Sequence, residues 1–268
     1  GRDAGADSHI PPAAAVTSMS GDPAATVRLV RHATLLVTVG DTTLLVDPML
    51  AAQGADPPVE NTPNQRRNPL VDLPPVDLDH DAVLVTHRHN DHFDDAARDR
   101  LDADVPLVVH PEQVQEFESE GFTDVRPLER ELAVEDLRLS PTPARHGHGD
   151  LASAMGPVTG AVVRGSDGTP SIYLTGDTVW YEGVAETLAD AQPTAVIANA
   201  GGARFREGEP ITMDGDGVRR VREAAPDDAT VAAVHMDAIN HCLVTRSDLR
   251  DAVDGVTIPG DGDVLRIE

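Results

Sequence analysis

The sequence predicts an α/β fold in which short buried strands alternate with helices. Apolar, β-branched runs such as residues 42–46 and 171–175 are typical of strands. Residues 111–120 open on a proline and are followed by Gly121, which is typical of a helix. At 268 residues the chain is long enough to bury a substantial core, so we expect one α/β domain over residues 25–268.

The first half of the chain begins with a predicted hairpin. Residues 27–39 and 42–46 are apolar runs separated by Gly40 and Asp41, a pair typical of a hairpin turn. A polar loop of residues 53–75 follows, and a loop of this length in a compact domain is usually functional or disordered. The other elements expected in this half are a strand at 83–85, a helix at 94–101, a strand at 107–109, a helix at 111–120 and a strand at 137–139.

The second half of the chain also begins with a predicted hairpin. Its strands, residues 160–164 and 171–175, flank a turn of residues 165–168 that contains two glycines. The elements expected after it are a helix at 182–189, a strand at 195–198, a helix at 214–224, a strand at 231–234, a helix at 247–253 and a strand at 264–267. The two halves share an order of elements, although no close sequence repeat relates them.

The first 24 residues form a segment of different composition. They are rich in Ala, Pro, Gly, Ser and Asp and show no periodicity, which predicts disorder. Met19 could serve as a natural start, and residues 1–18 would then be an upstream extension.

The chain is strongly acidic. Its formal net charge is -25, and all 21 basic residues are arginine. Repulsion among so many carboxylates is screened when the Debye length falls to about 3 Å near molar salt. The composition therefore resembles that of proteins from salt-accumulating halophiles, and it argues against a nucleic-acid partner.

The compartment is predicted from signals that the sequence lacks. It has no run of about 18 apolar residues and no basic segment followed by an apolar one near its start. The single cysteine, Cys242, cannot form an intrachain disulfide and is expected to be a small buried residue. We expect a cytoplasmic protein without a membrane partner, and leave a homo-oligomer open.

The most informative stretch is Thr86-His87-Arg88-His89-Asn90-Asp91-His92. It places three imidazoles and a carboxylate within six residues, directly after the strand predicted at 83–85. Neutral imidazole and carboxylate are ligands that Zn²⁺ and related divalent ions prefer. The strand would fix the backbone while the loop presents the side chains, so the stretch predicts a metal-binding loop.

Three further strand ends carry side chains of the same kind. His146 follows the strand at 137–139, Asp177 follows the strand at 171–175, and His235 follows the strand at 231–234. Because such strand ends converge on one edge of a sheet, we expect a single site assembled from remote segments.

Taken in order, these residues resemble the signature of the metallo-β-lactamase superfamily. The resemblance lies in the His-x-His-x-Asp-His motif, His146, Thr175-Gly176-Asp177-Thr178 and Val234-His235, and it covers roughly residues 25–268. Within the superfamily, the chain most resembles the branch that contains ascorbate-6-phosphate lactonase. It implies a four-layer αββα sandwich with two mixed sheets face to face, helices on the outer faces and metals at one edge.

The resemblance also implies two divalent metal ions. His87, His89 and His146 would bind the first ion, Asp91, His92 and His235 the second, and Asp177 would bridge them. Two ions about 3.5–4 Å apart share a hydroxide that attacks a carbonyl or phosphoryl centre, and Asp91 would accept or relay its proton. His89 stands where the iron flavoprotein relatives carry Glu, which favours a hydrolase. Zinc is the first choice of metal, with manganese or iron as alternatives.

Two of these ligand positions have competitors. His148 competes with His146, which we favour because it comes sooner after the strand and because glycines on either side of His148 suggest mobility. His241 competes with His235, which we favour because it ends a strand. His241, with Asn240, would then line the substrate pocket or simply flank a helix.

Three other polar residues have a structural and a functional interpretation. Asp47 could hydrogen-bond a ligand imidazole or form the turn before Pro48. His32 lies inside the run of residues 27–39 and is expected in the core or beside a ligand. His110 precedes a proline and a helix and is expected to be structural.

Candidates for substrate binding lie in two segments. Arg66 and Arg67, in the long loop, could clamp a phosphate or carboxylate, although a solvated pair fits equally well. Trp180 and Tyr181 follow Asp177 closely and could wall the pocket or simply pack.

The predicted function is a dinuclear metal-dependent hydrolase that acts on a small ester, lactone or phosphoester. A β-lactam is not expected, because the sequence shows no secretion signal and superfamily membership alone does not fix the substrate. One alternative is a nuclease or phosphodiesterase of the same superfamily, although no added basic segment is visible. The other is a non-catalytic metal or ligand sensor, against which the complete ligand set argues.

Overall fold

The computed structural model describes residues 23–268, which form four layers. Two sheets pack face to face, and helices cover both outer faces. The predicted αββα sandwich is therefore confirmed. Disorder was predicted for residues 1–24, and residues 1–22 of that segment lie outside the described range.

The first sheet has seven strands. They are β1 (Ala25–Arg31), β2 (Thr34–Val39), β3 (Thr42–Val46), β4 (Ala82–Val85), β5 (Leu107–Val109), β6 (Val125–Pro127) and β13 (Val264–Ile267). Their order in space is β13-β1-β2-β3-β4-β5-β6. Pairing is antiparallel from β13 to β3 and parallel from β3 to β6, so the sheet is mixed.

The second sheet has six strands. They are β7 (Leu132–Val134), β8 (Leu137–Pro143), β9 (Thr159–Gly165), β10 (Ser171–Leu174), β11 (Ala195–Asn199) and β12 (Thr230–Val234). Their order in space is β12-β11-β10-β9-β8-β7. The pairs β12–β11 and β11–β10 are parallel, and the others are antiparallel.

Residues 23–268 contain six short α-helices, most of which form the outer layers. They are α1 (Asp95–Arg100), α2 (Val114–Ser119), α3 (Gly149–Ala154), α4 (Glu182–Ala191), α5 (Gly215–Ala224) and α6 (Arg246–Ala252). Helices α1 and α2 bury Ala97 and Phe117 against the first sheet, while α4 to α6 cover the second. Within residues 23–268, no helix is long and apolar enough to cross a membrane.

The main core lies between the two sheets. Side chains such as Leu44 of β3 and Ile172 of β10 meet there in one buried cluster. All four residues of β4 are buried, as are all four of β10. Strands covered on both faces are apolar without alternation, which is why these runs were visible in the sequence.

One predicted strand is wrong, because residues 27–39 form two strands. Strand β1 ends at Arg31 and β2 begins at Thr34, and the chain turns at His32, whose φ of 60° lies in the left-handed region. No glycine or proline marks this buried turn. Strands β6 and β7 and helix α3 were not predicted, because the two short strands are only partly buried and α3 buries none of its side chains.

The long loop of residues 53–75 has a fixed conformation. Asn240, which is fully buried, donates from Nδ2 to the carbonyl oxygen of Val59 and to the hydroxyl of Thr62. Its Oδ1 accepts from the backbone N–H of Val59 and from Nδ2 of Asn68. The side-chain amide of Asn240 therefore connects Val59 and Thr62 to Asn68 across the loop.

Candidate metal centre

Four strand ends bring the predicted ligands to one place. The loop of residues 86–92 runs from the end of β4 to α1, where the side chain of Asp94 accepts from the Ala97 N–H as the helix cap. His146, Asp177 and His235 follow β8, β10 and β12. The structure thus brings all seven predicted ligands into one cluster.

The first group consists of His87, His89 and His146. Each offers a ring nitrogen, and these three atoms lie within 4.8 Å of one another. The Nδ1–H of His146 donates to the carbonyl oxygen of Ile211 at 2.9 Å, and the Nε2–H of His89 donates to that of Met155 at 3.0 Å. A ring that donates from one nitrogen keeps a lone pair on the other, so Nε2 of His146 and Nδ1 of His89 are free to bind a metal.

Asp47 orients two more of the imidazoles. Its carboxylate accepts from the backbone N–H and the hydroxyl of Thr86 at 2.7 and 2.8 Å, and from Nδ1 of His92 at 2.7 Å. The Thr86 hydroxyl donates its proton to Asp47. The oxygen of that hydroxyl therefore accepts from Nδ1 of His87 at 3.1 Å. The sequence left open whether Asp47 supports a ligand, and the structure places it against His92 directly and against His87 through Thr86.

The donor set of the first group fits a divalent metal ion. Nε2 of His87 lies 2.9 Å from Nδ1 of His89, and both rings carry their protons on the opposite nitrogens. Two lone pairs at this distance repel each other unless they share a cation. Imidazole nitrogen and carboxylate oxygen are donors that suit zinc, manganese and iron.

The second group consists of Asp91, His92 and His235, together with His32. Asp177 lies between the two groups. Its Oδ2 is 3.5 Å from Nε2 of His146 and 3.3 Å from Nε2 of His92, and its Oδ1 is 3.1 Å from Nε2 of His235. One carboxylate therefore contacts ligand nitrogens on both sides.

Burial and charge set the protonation of this cluster. Burial raises the pKa of Asp177, but His235 and His92 hold that pKa well below its usual range. Burial lowers the pKa of His92, but Asp177 and Asp47 bring it well above its ordinary value. Burial lowers the pKa of His87 well below its ordinary value. Asp177 is therefore ionised, and the negative potential at His92 favours a positive charge there, which a bound metal ion would supply.

His32 lies beside two of the predicted ligands, in a turn where the sequence predicted a strand. It was expected in a strand, in the core or beside a ligand, and it lies in the β1–β2 turn. Its Nε2 is 3.0 Å from Oδ2 of Asp91, its ring centroid is 3.7 Å from that of His235, and its carbonyl oxygen accepts from the His235 N–H. The one available signal was an imidazole in the middle of a long apolar run.

The structure separates the competing histidines. His148 is exposed and precedes α3, whereas His146 is buried beside Asp177. His235 lies in the second group, whereas the buried His241 lines the adjoining cavity. His110 accepts from the Glu112 N–H and caps a short 3₁₀ turn, the structural role expected of it.

A cavity of about 510 Å³ opens beside His89 and Asp91. Of the substrate-binding candidates, only His241 lines it. Its wall instead includes Met155, Phe205 and other apolar residues that the sequence did not single out.

The remaining substrate-binding candidates lie elsewhere. Arg66 and Arg67 are exposed, and the guanidinium of Arg67 donates to the carbonyl oxygens of Gly54 and Ala55. Trp180 packs on the cluster beneath α4 and α5 and borders a separate shallow groove. Tyr181, beside it, lies under the guanidinium of Arg145.

Comparison with known proteins identifies the family of the chain. The family described as "Beta-lactamase superfamily domain" matches residues 42–238. The UPF0173 protein YddR of Bacillus subtilis (strain 168) is 33% identical over 248 residues, which cover 87% of this chain and 96% of that protein.

Two crystal structures are similar over nearly their whole length. A possible metal-dependent hydrolase from Veillonella parvula DSM 2008 is 32% identical, with a TM-score of 0.85, and the match covers 91% of this chain and 100% of that one. An isothiocyanate hydrolase from Delia radicum gut bacteria is also 32% identical, with a TM-score of 0.83 and coverage of 90% and 99%. The chain therefore belongs to the metallo-β-lactamase superfamily and is a metal-dependent hydrolase.

Proposed function

We propose that this hydrolase is dinuclear. The first ion would be held by His87, His89 and His146, the second by Asp91, His92 and His235, and both by Asp177. The observation that supports this is the position of Asp177, whose Oδ2 is 3.5 Å from His146 and whose Oδ1 is 3.1 Å from His235. A carboxylate that reaches ligands of both groups is suited to a shared two-metal centre.

When bound, two divalent ions supply Lewis acidity and a water whose pKa is lowered towards neutrality. Asp91 is the chain's own candidate for proton transfer. Its side chain is 12% exposed and lines the cavity, and its Oδ2 contacts His32. In ester hydrolysis a new bond forms from water oxygen to the carbonyl carbon and the bond to the alcohol oxygen breaks. Asp91 would accept the water proton and return it to the alcohol.

The substrate class proposed from the sequence is a small ester, lactone or phosphoester. Zinc remains the first choice of metal, with manganese or iron as alternatives, since the nitrogen and oxygen donors suit all three. The resemblance to ascorbate-6-phosphate lactonase stays a prediction.

Hydrolysis of an isothiocyanate is a second candidate activity. It is favoured by the 32% identity with the isothiocyanate hydrolase, over 90% of this chain and 99% of that one. In R–N=C=S, the water oxygen bonds to the central carbon and the carbon–nitrogen bond breaks. The two water protons go to nitrogen, so the products are an amine and carbonyl sulfide. Like ester hydrolysis, this reaction needs attack of water on a carbon atom and delivery of protons to the leaving group.

Metal reconstitution tests the proposal. The protein is stripped with a chelator, reloaded with Zn²⁺, Mn²⁺ or Fe²⁺, and assayed in concentrated KCl. The panel is phenyl acetate, dihydrocoumarin, bis(4-nitrophenyl) phosphate and phenethyl isothiocyanate. We expect no activity in the stripped protein and recovery that saturates at two ions per chain. Saturation at one ion would contradict a dinuclear centre, and a fully loaded protein inert across the panel would support the sensor alternative.

A further inference from the structure

The cavity beside the metal centre has a continuous apolar wall. Met49 and Ile239 are 1% and 2% exposed, and Val59, Met155 and Phe205 pack against the same cluster. All five line the cavity. Its volume of about 510 Å³ lies within the range of small-molecule sites, roughly 300–1,000 Å³.

The positive charge at the cavity is already paired. Arg88 is the only arginine among the described residues that line it. Its guanidinium donates to the carbonyl oxygen of Phe93 and to Oε1 of Glu120, each at 2.7 Å, and lies 4.9 Å from the centre of the Phe93 ring. A guanidinium held in this way is not free to clamp a phosphate or carboxylate.

The other charged side chains that line the cavity are carboxylates. Asp56 stands in the wall with Val59, whereas Asp91 is a proposed ligand of the second ion, whose positive charge would offset that of Asp91. A carboxylate such as Asp56, next to an apolar, low-dielectric surface, repels an approaching anion. The wall therefore opposes binding of a negatively charged tail.

Two polar side chains of the wall, Asn68 and His241, differ in what they leave for a substrate. The amide of Asn68 is used in both directions, since it donates to Oδ1 of Asn240 and accepts from the Asn240 N–H. The buried Nδ1 of His241 has no hydrogen-bond partner among the described residues. His241 therefore offers a polar contact beside the apolar part of the wall.

We propose that the cavity selects an uncharged substrate with an apolar tail. The tail lies along Val59, Phe205 and Ile239, the reacting carbon faces His89 and Asp91, and a polar atom near that carbon meets His241. This inference rests on the proposed hydrolase function and narrows its substrate class. It favours esters, lactones and isothiocyanates over phosphoesters.

A matched pair of esters tests the inference in the metal-loaded protein. 4-Nitrophenyl hexanoate and mono-4-nitrophenyl adipate share the leaving group and chain length, but only the adipate ester carries a terminal carboxylate. We expect kcat/KM to be at least tenfold higher for the hexanoate. Along the series acetate, butyrate, hexanoate, kcat/KM should rise about three- to fourfold per added methylene until the wall is covered. Equal values for the two esters, or a preference for the adipate, would overturn the inference.

A pair of fluorescent probes gives a readout that does not depend on hydrolysis. N-phenyl-1-naphthylamine is neutral, and 8-anilinonaphthalene-1-sulfonate adds a sulfonate to the same skeleton. Measured at the lowest salt that keeps the protein folded, the neutral probe should bind at least tenfold more tightly. A tighter sulfonate complex would overturn the inference. A neutral preference without any ester hydrolysis would support the cavity assignment and count against the hydrolase proposal alone.

A pair of charge variants separates the cavity from the overall acidity of the chain. Val59→Arg places a cation in the wall and should reduce the preference for the neutral probe at least fivefold. Val264→Arg changes the net charge equally at an exposed site on β13 and should leave the preference unchanged. Phe205→Arg replaces Val59→Arg if the latter does not fold. An equal shift in the cavity and surface variants would overturn the inference.

Discussion

Nε2 of His32 lies 3.0 Å from Oδ2 of Asp91. The same histidine stacks on His235, with ring centroids 3.7 Å apart, and accepts a hydrogen bond from its backbone N–H. One residue in a tight turn therefore positions two of the proposed ligands of the second ion. Groups that orient ligands in this way typically contribute 10- to 100-fold to metal affinity.

We predict that His32→Ala weakens the second ion selectively. Affinity for that ion should fall about 10- to 100-fold, because Asp91 and His235 lose their common support. Elemental analysis after dialysis should then find close to one ion per chain. His32→Gln is the matched control, since its amide can still donate to Asp91, and it should retain more metal than the alanine variant. Equal loss of both ions in His32→Ala would contradict the prediction.

The cap of α1 should contribute measurably to stability. Oδ1 of Asp94 accepts from the Ala97 N–H and Oδ2 accepts from the Ala51 N–H, each at 2.7 Å. Asp94→Ala removes the cap and leaves a buried N–H unsatisfied, so the free energy of unfolding should fall by about 2 kcal/mol. Asp94→Asn keeps one acceptor and should lose less. Urea unfolding at constant KCl measures both, and identical curves for wild type and Asp94→Ala would show that the cap is dispensable.

The long loop should open when its central amide is removed. Asn240 holds Val59, Thr62 and Asn68 through hydrogen bonds from one buried side chain. We expect Asn240→Ala to speed tryptic cleavage after the exposed Arg66 and Arg67, with little change in metal content. Asn240→Asp removes only the donors and should give an intermediate rate. An unchanged cleavage rate in Asn240→Ala would mean that other contacts hold the loop.

The acidity of the chain predicts a dependence on salt. With a net charge of -25, repulsion should destabilise the folded protein in dilute buffer, and counterions should relieve it. Tm should therefore rise steeply as KCl increases from low to molar concentration. A Tm that stays flat over this range would contradict the halophilic character proposed from composition.

The sequence predicted the ligands better than the surface around them. His87, His89, Asp91 and His92 are adjacent in the chain and follow a strand that is buried on both faces, so the pattern was visible locally. His146, Asp177 and His235 were found because each follows a predicted apolar strand.

What the sequence could not predict depends on long-range packing. His32 was expected in the core or beside a ligand, but the unmarked turn that brings it to Asp91 was not predicted. Phe205 lies in the segment after β11, and Met155 directly follows α3. Both reach the cavity only because these two segments fold against the cluster that contains Met49 and Ile239. Arg66 and Arg67 have the right chemistry for an anion, but the loop turns them to solvent, and residue type alone does not reveal that direction.

Anomalous diffraction from crystals of the zinc-loaded protein, recorded at the zinc absorption edge, tests the two-metal proposal most directly. We predict two peaks about 3.5–4 Å apart, one among His87, His89 and His146 and the other among Asp91, His92 and His235, with Asp177 bound to both. A single peak at full zinc loading, or two peaks with Asp177 bound to only one, would contradict it.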